Sequence, residues 1–331
     1  MNKRIFYLVV PFGVACDAKS GADLSQDEPP TCDAVVESTW PADGTTDAYY
    51  RDRIEFHLSG PDQYATVIAP VDGDQSFEND GKTVVFTPSE PLEPDTEYEL
   101  GLDFCQGEPT LSFSTSVLGQ PLEVPSDLIG ATFVLDPTEA RFSETGGVGK
   151  VLAHLYGRPF LLQFIDFEDG VADVRLAVGI DGGAPYIQDE CYRTLDLFGV
   201  DLSNDADFVF AEEEVEIDFY TSAMSFFNVH AGGTVSPVLD WFGGGRFSAL
   251  VEIDPMAESL GFDSREDVCD LAYAMGQDCV PCPSEDGTLC LQIDGDRLNG
   301  GAVDLELIEV FERNAAPGCG PEETDMMRIA P

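Results

Sequence analysis

The chain has 331 residues, of which 63 are acidic and only 16 are basic, so its formal net charge at pH 7 is −47. A field this negative repels nucleic acid and anionic lipid surfaces, which excludes binding to a phosphate backbone. The length and a hydrophobic content of 43% allow two domains with real cores and exclude disorder throughout. Because the acids are spread along the chain, a solvated acidic surface explains them better than one divalent-cation site.

The N-terminus has the pattern of an export signal. Two basic residues precede an apolar run from residue 5 to residue 15, and Cys16 follows directly. Eleven residues are too few for a permanent transmembrane helix, but they match the hydrophobic region of a signal peptide. We therefore predict that residues 1–15 are a signal peptide and that the protein is exported.

The end of this segment, Gly13-Val14-Ala15-Cys16, resembles the lipobox of bacterial lipoproteins. The resemblance implies that the thiol of Cys16 carries lipid and that the protein is anchored in a membrane of the cell envelope. The outer membrane or the cell surface is favoured over the inner membrane. An ordinary signal peptide cut nearby is the alternative. Residues 16–31 have little to bury and are expected to form a flexible tether.

Residues 32–116 alternate apolar and polar residues between turns, which predicts short β-strands. Around Ile54, Phe56 and Leu58 the polar neighbours are expected on the outer face. The segment from Trp40 to Gly44, the run from Asp80 to Pro88, and Leu-x-Pro-x-Thr-x-Tyr ending at Tyr98 together resemble the bacterial Ig-like domains of surface proteins. The resemblance implies a β-sandwich in which the Tyr98 hydroxyl bonds back to nearby backbone as a corner tyrosine.

The nine cysteines support export, because eight remain to pair once Cys16 is set aside for lipid. A bridge between Cys32 and Cys105 would lie at the periphery of the sandwich, since Cys105 has the opposite parity from the apolar strand residues before it. Six more cysteines allow fifteen connectivities, and export favours disulfides over a zinc knuckle. These six are Cys191, Cys269, Cys279, Cys282, Cys290 and Cys319.

Residues 117–125 are expected to form a short semi-rigid linker, and residues 126–331 a larger β-rich domain. Helical spacing of apolar residues predicts one helix ending near Gly157 and a second between Ser264 and Gly276. The predicted fold is mainly β, with an Ig-like sandwich followed by a partly closed barrel or sandwich of about eight to ten antiparallel strands. The strands are predicted at residues 132–135, 160–167, 174–178, 215–219, 247–253, 289–293 and 303–310.

One acidic run has the spacing of a calcium loop. Five oxygen-bearing side chains match the ligand positions of an EF-hand, but an alanine stands where the sharp turn needs glycine. Calcium is therefore the minority interpretation here, and no other cofactor is expected. The five residues are Asp201, Ser203, Asp205, Asp207 and Glu212.

Two classes of function fit the chain. The first is a non-enzymatic envelope lipoprotein with a binding, structural or adhesive role, in which the Ig-like module is a spacer. The second is a secreted hydrolase built on carboxylates such as Asp218, Glu252 and Asp254. No nucleophile or zinc-protease motif is present, which favours the first class. Its partner would be an apolar ligand or another envelope protein.

The second domain carries more aromatic side chains than a thin core needs. A barrel of about eight strands has either a filled interior or room for one small ligand. A filled core is the first interpretation, and an internal cavity for an apolar or lipid-like molecule is the alternative. The aromatic residues are Phe133, Phe160, Phe164, Phe219, Phe226, Phe227 and Phe247.

Lipidation at Cys16 is directly testable. We expect metabolic labelling with a fatty-acid analogue to mark the wild-type protein and to leave a Cys16→Ala variant unmarked, because the alanine offers no thiol. An unlabelled wild-type protein would rule the anchor out.

Overall fold

The computed structural model describes residues 33–142, 148–180, 186–204, 207–219, 222–284 and 287–313, together with Cys319. Within these residues the protein is mainly β, and a sandwich is followed by an eight-stranded antiparallel barrel. This confirms the predicted β-rich, two-part architecture. No helix in the described ranges has the length and apolar character needed to span a membrane.

The sandwich consists of seven strands. They are β1 (Val36–Trp40), β2 (Ile54–Leu58), β3 (Thr66–Ile68), β4 (Gly73–Glu78), β5 (Thr83–Pro88), β6 (Glu97–Asp103) and β7 (Thr110–Ser114). One sheet has the order β1-β2-β5-β4 and the other the order β3-β6-β7. Ile54 and Phe56 of the first sheet pack against Leu100 and Leu102 of the second. The alternation of buried and exposed residues is the one expected of sheets with a single apolar face.

The Tyr98 hydroxyl accepts a hydrogen bond of 2.8 Å from the backbone N–H of Glu93, five residues upstream. Cys105 is disulfide-bonded. Its expected partner, Cys32, lies outside the described residues, as do Cys16, the signal segment and the tether.

The barrel domain contains the remaining strands. They are β8 (Thr132–Leu135), β9 (Arg141–Phe142), β10 (Phe160–Glu168), β11 (Val171–Ile180), β12 (Ile187–Gln188), β13 (Leu195–Asn204), β14 (Asp207–Phe219), β15 (Ser222–Val235), β16 (Trp241–Glu252), β17 (Val280–Pro281) and β18 (Leu289–Val303). Eight of them follow the order β10-β8-β18-β16-β15-β14-β13-β11, and pairing of β11 with β10 closes the barrel. Every pair is antiparallel.

Some strand boundaries differ from those expected. The strand predicted at 303–310 is wrong beyond Val303, because residues 304–310 form no strand. β18 instead runs without interruption from Leu289 to Val303 and continues well past the strand predicted at 289–293. Its glycines explain the continuity, because a Cβ on Gly295 would lie 2.5 Å from the Phe247 ring and one on Gly300 would lie 1.9 Å from a backbone oxygen. The strand thus keeps its pairing where neighbours approach too closely for a side chain.

The two ends of the barrel are packed differently. At the end where β14 begins and β15 finishes, aromatic rings pack edge to face or tilted and fill the interior. These rings belong to Phe133, Phe164, Phe208 and Phe242. The opposite end is covered by helices that pack on a second apolar cluster, which includes Met224 and Val251.

Three helices form this cover. Two are predicted from the sequence, α1 (Val148–Tyr156) and α3 (Arg265–Ala274). The carboxylate of Asp267 accepts a hydrogen bond of 3.0 Å from the backbone N–H of Ser264, which caps α3 as expected. The other helix, α2 (Asp254–Leu260), is not predicted. Its signal is an Asp-Pro pair in the first turn, directly after β16.

The cysteines of the barrel domain form three disulfides, Cys191–Cys319, Cys269–Cys279 and Cys282–Cys290. The first joins segments 128 residues apart, whereas the other two close loops of 10 and 8 residues. The choice of disulfides over zinc is therefore confirmed for these six residues. Across the described ranges, no group of three or more histidine, cysteine or acidic side chains is arranged to hold a metal ion.

The sandwich docks on the filled end of the barrel through a buried carboxylate. Asp207, the first residue of β14, is only 4% exposed. Arg246 donates to both of its oxygens at 2.9 Å, and the Thr234 hydroxyl donates at 3.2 Å. From the sandwich, the guanidinium of Arg51 lies 3.6 Å from the same carboxylate, and the Tyr49 hydroxyl hydrogen-bonds with Thr234 at 2.8 Å. One acidic side chain thus holds cations from both domains.

The contact between sandwich and barrel also includes a close approach of the Tyr49 ring to the backbone of the barrel. A Cβ on Gly244, whose φ is +63°, would lie 1.9 Å from the Tyr49 ring, so no larger residue fits there. The predicted linker also packs on both sides, since Leu118 belongs to the sandwich core and Leu122 packs against the barrel core. The sandwich and the barrel therefore pack against each other, and the segment of residues 117–125 contributes to both cores through these two leucines.

A second ionic cluster corrects the expected exposure of β2. The polar neighbours of its apolar residues are predicted to face solvent, yet Glu55 is only 5% exposed. Arg141 of the barrel covers it with a contact of 2.6 Å and also binds Asp296. Beside it, the Arg297 guanidinium stacks 3.5 Å from the centre of the Trp40 ring. At Glu55, the face of β2 expected to be exposed to solvent is thus part of the interface between sandwich and barrel.

Removing the buried carboxylate should destabilise the whole unit. We expect Asp207→Ala to lower the free energy of unfolding by about 3 kcal/mol, because it leaves Arg246 and Arg51 without their shared anion. This lies at the low end of the usual range, since Arg246 is 39% exposed and can reach water. Urea unfolding measures the change. The matched control is Asp74→Ala on the exposed β4 strand, expected within about 0.5 kcal/mol of wild type. Equal losses in the two variants would contradict this role.

The Glu55 cluster predicts a dependence on pH. Burial alone would raise the pKa of Glu55, but its contacts with Arg141 and Arg53 outweigh burial and lower that pKa below its usual 4.5. The stability from ionised Glu55 is therefore present above about pH 5 and is lost as the pH falls through the lowered pKa.

We expect Glu55→Gln to be less stable than wild type by about 2 kcal/mol at pH 7, since the glutamine has no charge for the two arginines. The difference should shrink on acidification below about pH 4. Thermal unfolding across this range measures it, with Glu99→Gln on the exposed face of β6 as the control. A difference that stays constant with pH would contradict the assignment.

Candidate functional site

The helical end of the barrel contains an apolar cavity. Its floor is formed by the inner faces of β14, β15, β16 and β18, and its roof by α1 and α2. It is lined by Pro137, Phe142, Gly149, Leu152, Ala153, Phe160, Ile217, Met224, Phe226, Phe247, Ala249, Val251, Met256 and Ile293.

Small residues explain why space remains here. On β16, Ala249 stands between Phe247 and Val251 on the inward face, where a larger side chain would meet the roof. The rings of Phe142 and Phe247 pack edge to face with their centres 5.8 Å apart and bound one side. At the filled end of the barrel, by contrast, phenylalanine occupies the corresponding layers.

The cavity has a volume of about 120 Å³. An apolar cavity of about 150 Å³ stays dry and accepts benzene, so this one suits a single ring or a short alkyl segment. No described residue of the lining carries a hydrogen-bonding side chain. The site therefore offers dispersion contacts and loss of apolar hydration as its means of recognition.

A second apolar pocket of about 200 Å³ lies between the three helices. Its walls come from α1, α2 and α3 and from Leu291 of β18. Leu152 and Met256 line both spaces, so these two side chains form the partition. Because methionine is unbranched and changes rotamer easily, a chain longer than the first cavity could extend into the second by displacing Met256.

The phenylalanines singled out in the sequence are divided between the two ends of the barrel. Phe160, Phe226 and Phe247 line the cavity, whereas Phe133 and Phe164 belong to the filled end. Phe227 packs against the Cys282–Cys290 disulfide. The side chain of Phe219 is not among those that the structure describes. Among the cavity residues that the sequence does not single out are Ala249, Met224 and Met256, whose signal would have been small or flexible residues at inward positions.

Four of the five residues of the calcium-loop prediction lie in strands. Asp201 and Ser203 belong to β13, and Asp207 and Glu212 belong to the antiparallel strand β14. The carboxylate of Asp207 is held by arginine, and Asp205 is outside the described residues. The EF-hand spacing therefore extends over two antiparallel strands that pair at Asp201 and Val209.

The carboxylates considered for hydrolysis have other partners. Asp218 is 3% exposed, and its oxygens accept hydrogen bonds from the backbone and the guanidinium of Arg193 at 2.8 to 3.1 Å. Asp254 begins α2 and lies 3.4 Å from Arg265. Glu252 ends β16. None of the three lines the apolar cavity.

Comparison with known proteins gives no match to a protein-family model, to a curated protein or to a solved structure.

Proposed function

We propose that this protein is an exported envelope lipoprotein whose barrel domain binds a small apolar ligand. The observation that carries the proposal is the cavity at the helical end, whose fourteen lining residues are all apolar or glycine. The ligand class is a compact ring or a short alkyl chain. A polar group at one end of such a ligand would remain at the solvent side.

The expected affinity follows from the size of the cavity. Each buried methylene contributes about 0.8 kcal/mol, so a six-carbon chain gains about 5 kcal/mol. This corresponds to a dissociation constant on the order of 0.1 mM. Such binding suits a carrier or sensor of abundant small molecules.

The envelope location is supported by two features of the chain. The first is the lipobox-like sequence that ends at Cys16, which makes this cysteine the proposed site of lipid attachment. The second is the set of disulfide-bonded cysteines, which are typical of an oxidising compartment. The Ig-like assignment of residues 32–116 is supported by the seven-stranded sandwich and by the hydrogen bond of Tyr98. In this proposal the sandwich is a spacer domain between the tether and the barrel.

Filling the cavity should abolish binding. We expect the full-length protein to bind toluene and 1-hexanol saturably in ligand-observed NMR, and Ala249→Met to weaken binding at least tenfold because the longer side chain occupies the space. Circular dichroism checks that the variant is folded.

The matched control is Ala274→Met, the same substitution at an exposed position of α3, which should bind as wild type does. Equal binding by Ala249→Met, or no saturable binding by the folded wild type, would remove the proposal.

A further inference from the structure

Two neighbouring strands of the barrel separate along most of their length. Within the described residues, β13 and β14 pair only at Asp201 with Val209 and at Asn204 with Asp207. Beyond these pairs, β13 continues along β11 and β14 continues along β15. We call the space between residues 195–198 of β13 and 212–216 of β14 the seam.

The seam is a groove with defined ends. It has a volume of about 530 Å³, and the segment Glu309 to Phe311 lies along it. The pairs Asp201–Val209 and Asn204–Asp207 close one end. At the other end lies Arg193, whose guanidinium is 2.7 Å from Glu216 and 2.9 Å from Asp218. Because each strand contributes four or five residues to the seam, the matching partner is an extended segment of about five residues, roughly 16 Å at the usual rise per residue.

The seam has the chemistry of a peptide-binding edge. A strand edge that lacks a neighbour presents backbone groups that another strand can pair with. Beside it Phe198 is 67% exposed and Phe311 is 77% exposed. Large apolar side chains in contact with water at one groove are typical of interaction sites.

The charges of the seam select the partner. Glu212 and Glu214 are exposed on β14 and line the groove. Asp196 and Glu309 also line it, but both contact Arg175. We therefore assign the negative charge that acts on a partner to Glu212 and Glu214. An acidic groove attracts a basic segment and repels an acidic one. A second copy of this chain, with a net charge of −47, brings the wrong sign.

We propose that the seam binds an extended segment of a partner protein in which basic and apolar residues alternate. The segment adds a strand between β13 and β14, and its backbone pairs with their edges. On the outer face its basic side chains meet Glu212 and Glu214 and lay their aliphatic stems over Phe198 and Phe311. Its apolar side chains point the other way, towards Leu197 and Val215 of the barrel core. This mode is β-strand addition. The site is separate from the apolar cavity, and its test is independent of ligand binding there.

The probe is a fluorescein-labelled decapeptide of alternating valine and lysine, titrated with the full-length protein and followed by fluorescence anisotropy. We expect saturable binding. The same peptide with alternate backbone amides N-methylated should bind at least tenfold more weakly, because it cannot complete the strand pairing. Equal binding of the two peptides would overturn strand addition, since charge attraction alone does not distinguish them.

A double variant tests the location. Glu212→Lys with Glu214→Lys should weaken binding at least tenfold, whereas Glu97→Lys with Glu99→Lys should leave it unchanged. The control pair has the same spacing and exposure on β6 of the sandwich. Equal loss in both would overturn the assignment to the seam.

If the Glu212 and Glu214 variant does not fold, Phe198→Ser replaces it, with the same expected loss. Sedimentation that reveals a dimer dissociated by the peptide would assign the seam to a second copy and overturn the proposal.

Discussion

The arrangement of this protein depends on the burial of one carboxylate, that of Asp207, between two domains. A carboxylate removed from water is costly unless cations and hydrogen-bond donors replace its hydration. Arg246 and Thr234 of the barrel and Arg51 of the sandwich supply them. Because the donors come from both domains, the compensation is complete only when the sandwich is docked. The ionic cluster therefore specifies the position of the sandwich as well as stabilising it.

Cations are scarce in this chain, and their placement is informative. Of the ten arginines in the described residues, four make contacts between sandwich and barrel, namely Arg51, Arg141, Arg246 and Arg297. In a protein with an excess of 47 negative charges, these positions oppose the repulsion between two acidic domains where they are closest.

Sequence patterns predict local structure here and miss what depends on distant partners. α1 and α3 are predictable because apolar spacing and an N-cap are local signals, and the barrel class follows from alternation on many strands. Burial of Glu55 is not predictable, because its partner Arg141 lies 86 residues away. The calcium-loop spacing at Asp201 is a weak signal for a different reason, since acids are so common in this chain that a match carries little information. Sequence patterns leave both a filled core and a cavity open, because a small inward residue such as Ala249 gives no local signal of the space around it.

The Cys269–Cys279 disulfide joins α3, which covers the helical pocket, to the segment that leads into β17. Cys282–Cys290 then joins the next residues to β18, a wall of the barrel. The two disulfides together link α3, which covers the helical end, to β18 of the barrel wall, whereas the barrel itself closes by strand pairing. Reduction of both bonds is therefore expected to loosen the helical cover while the barrel keeps its fold.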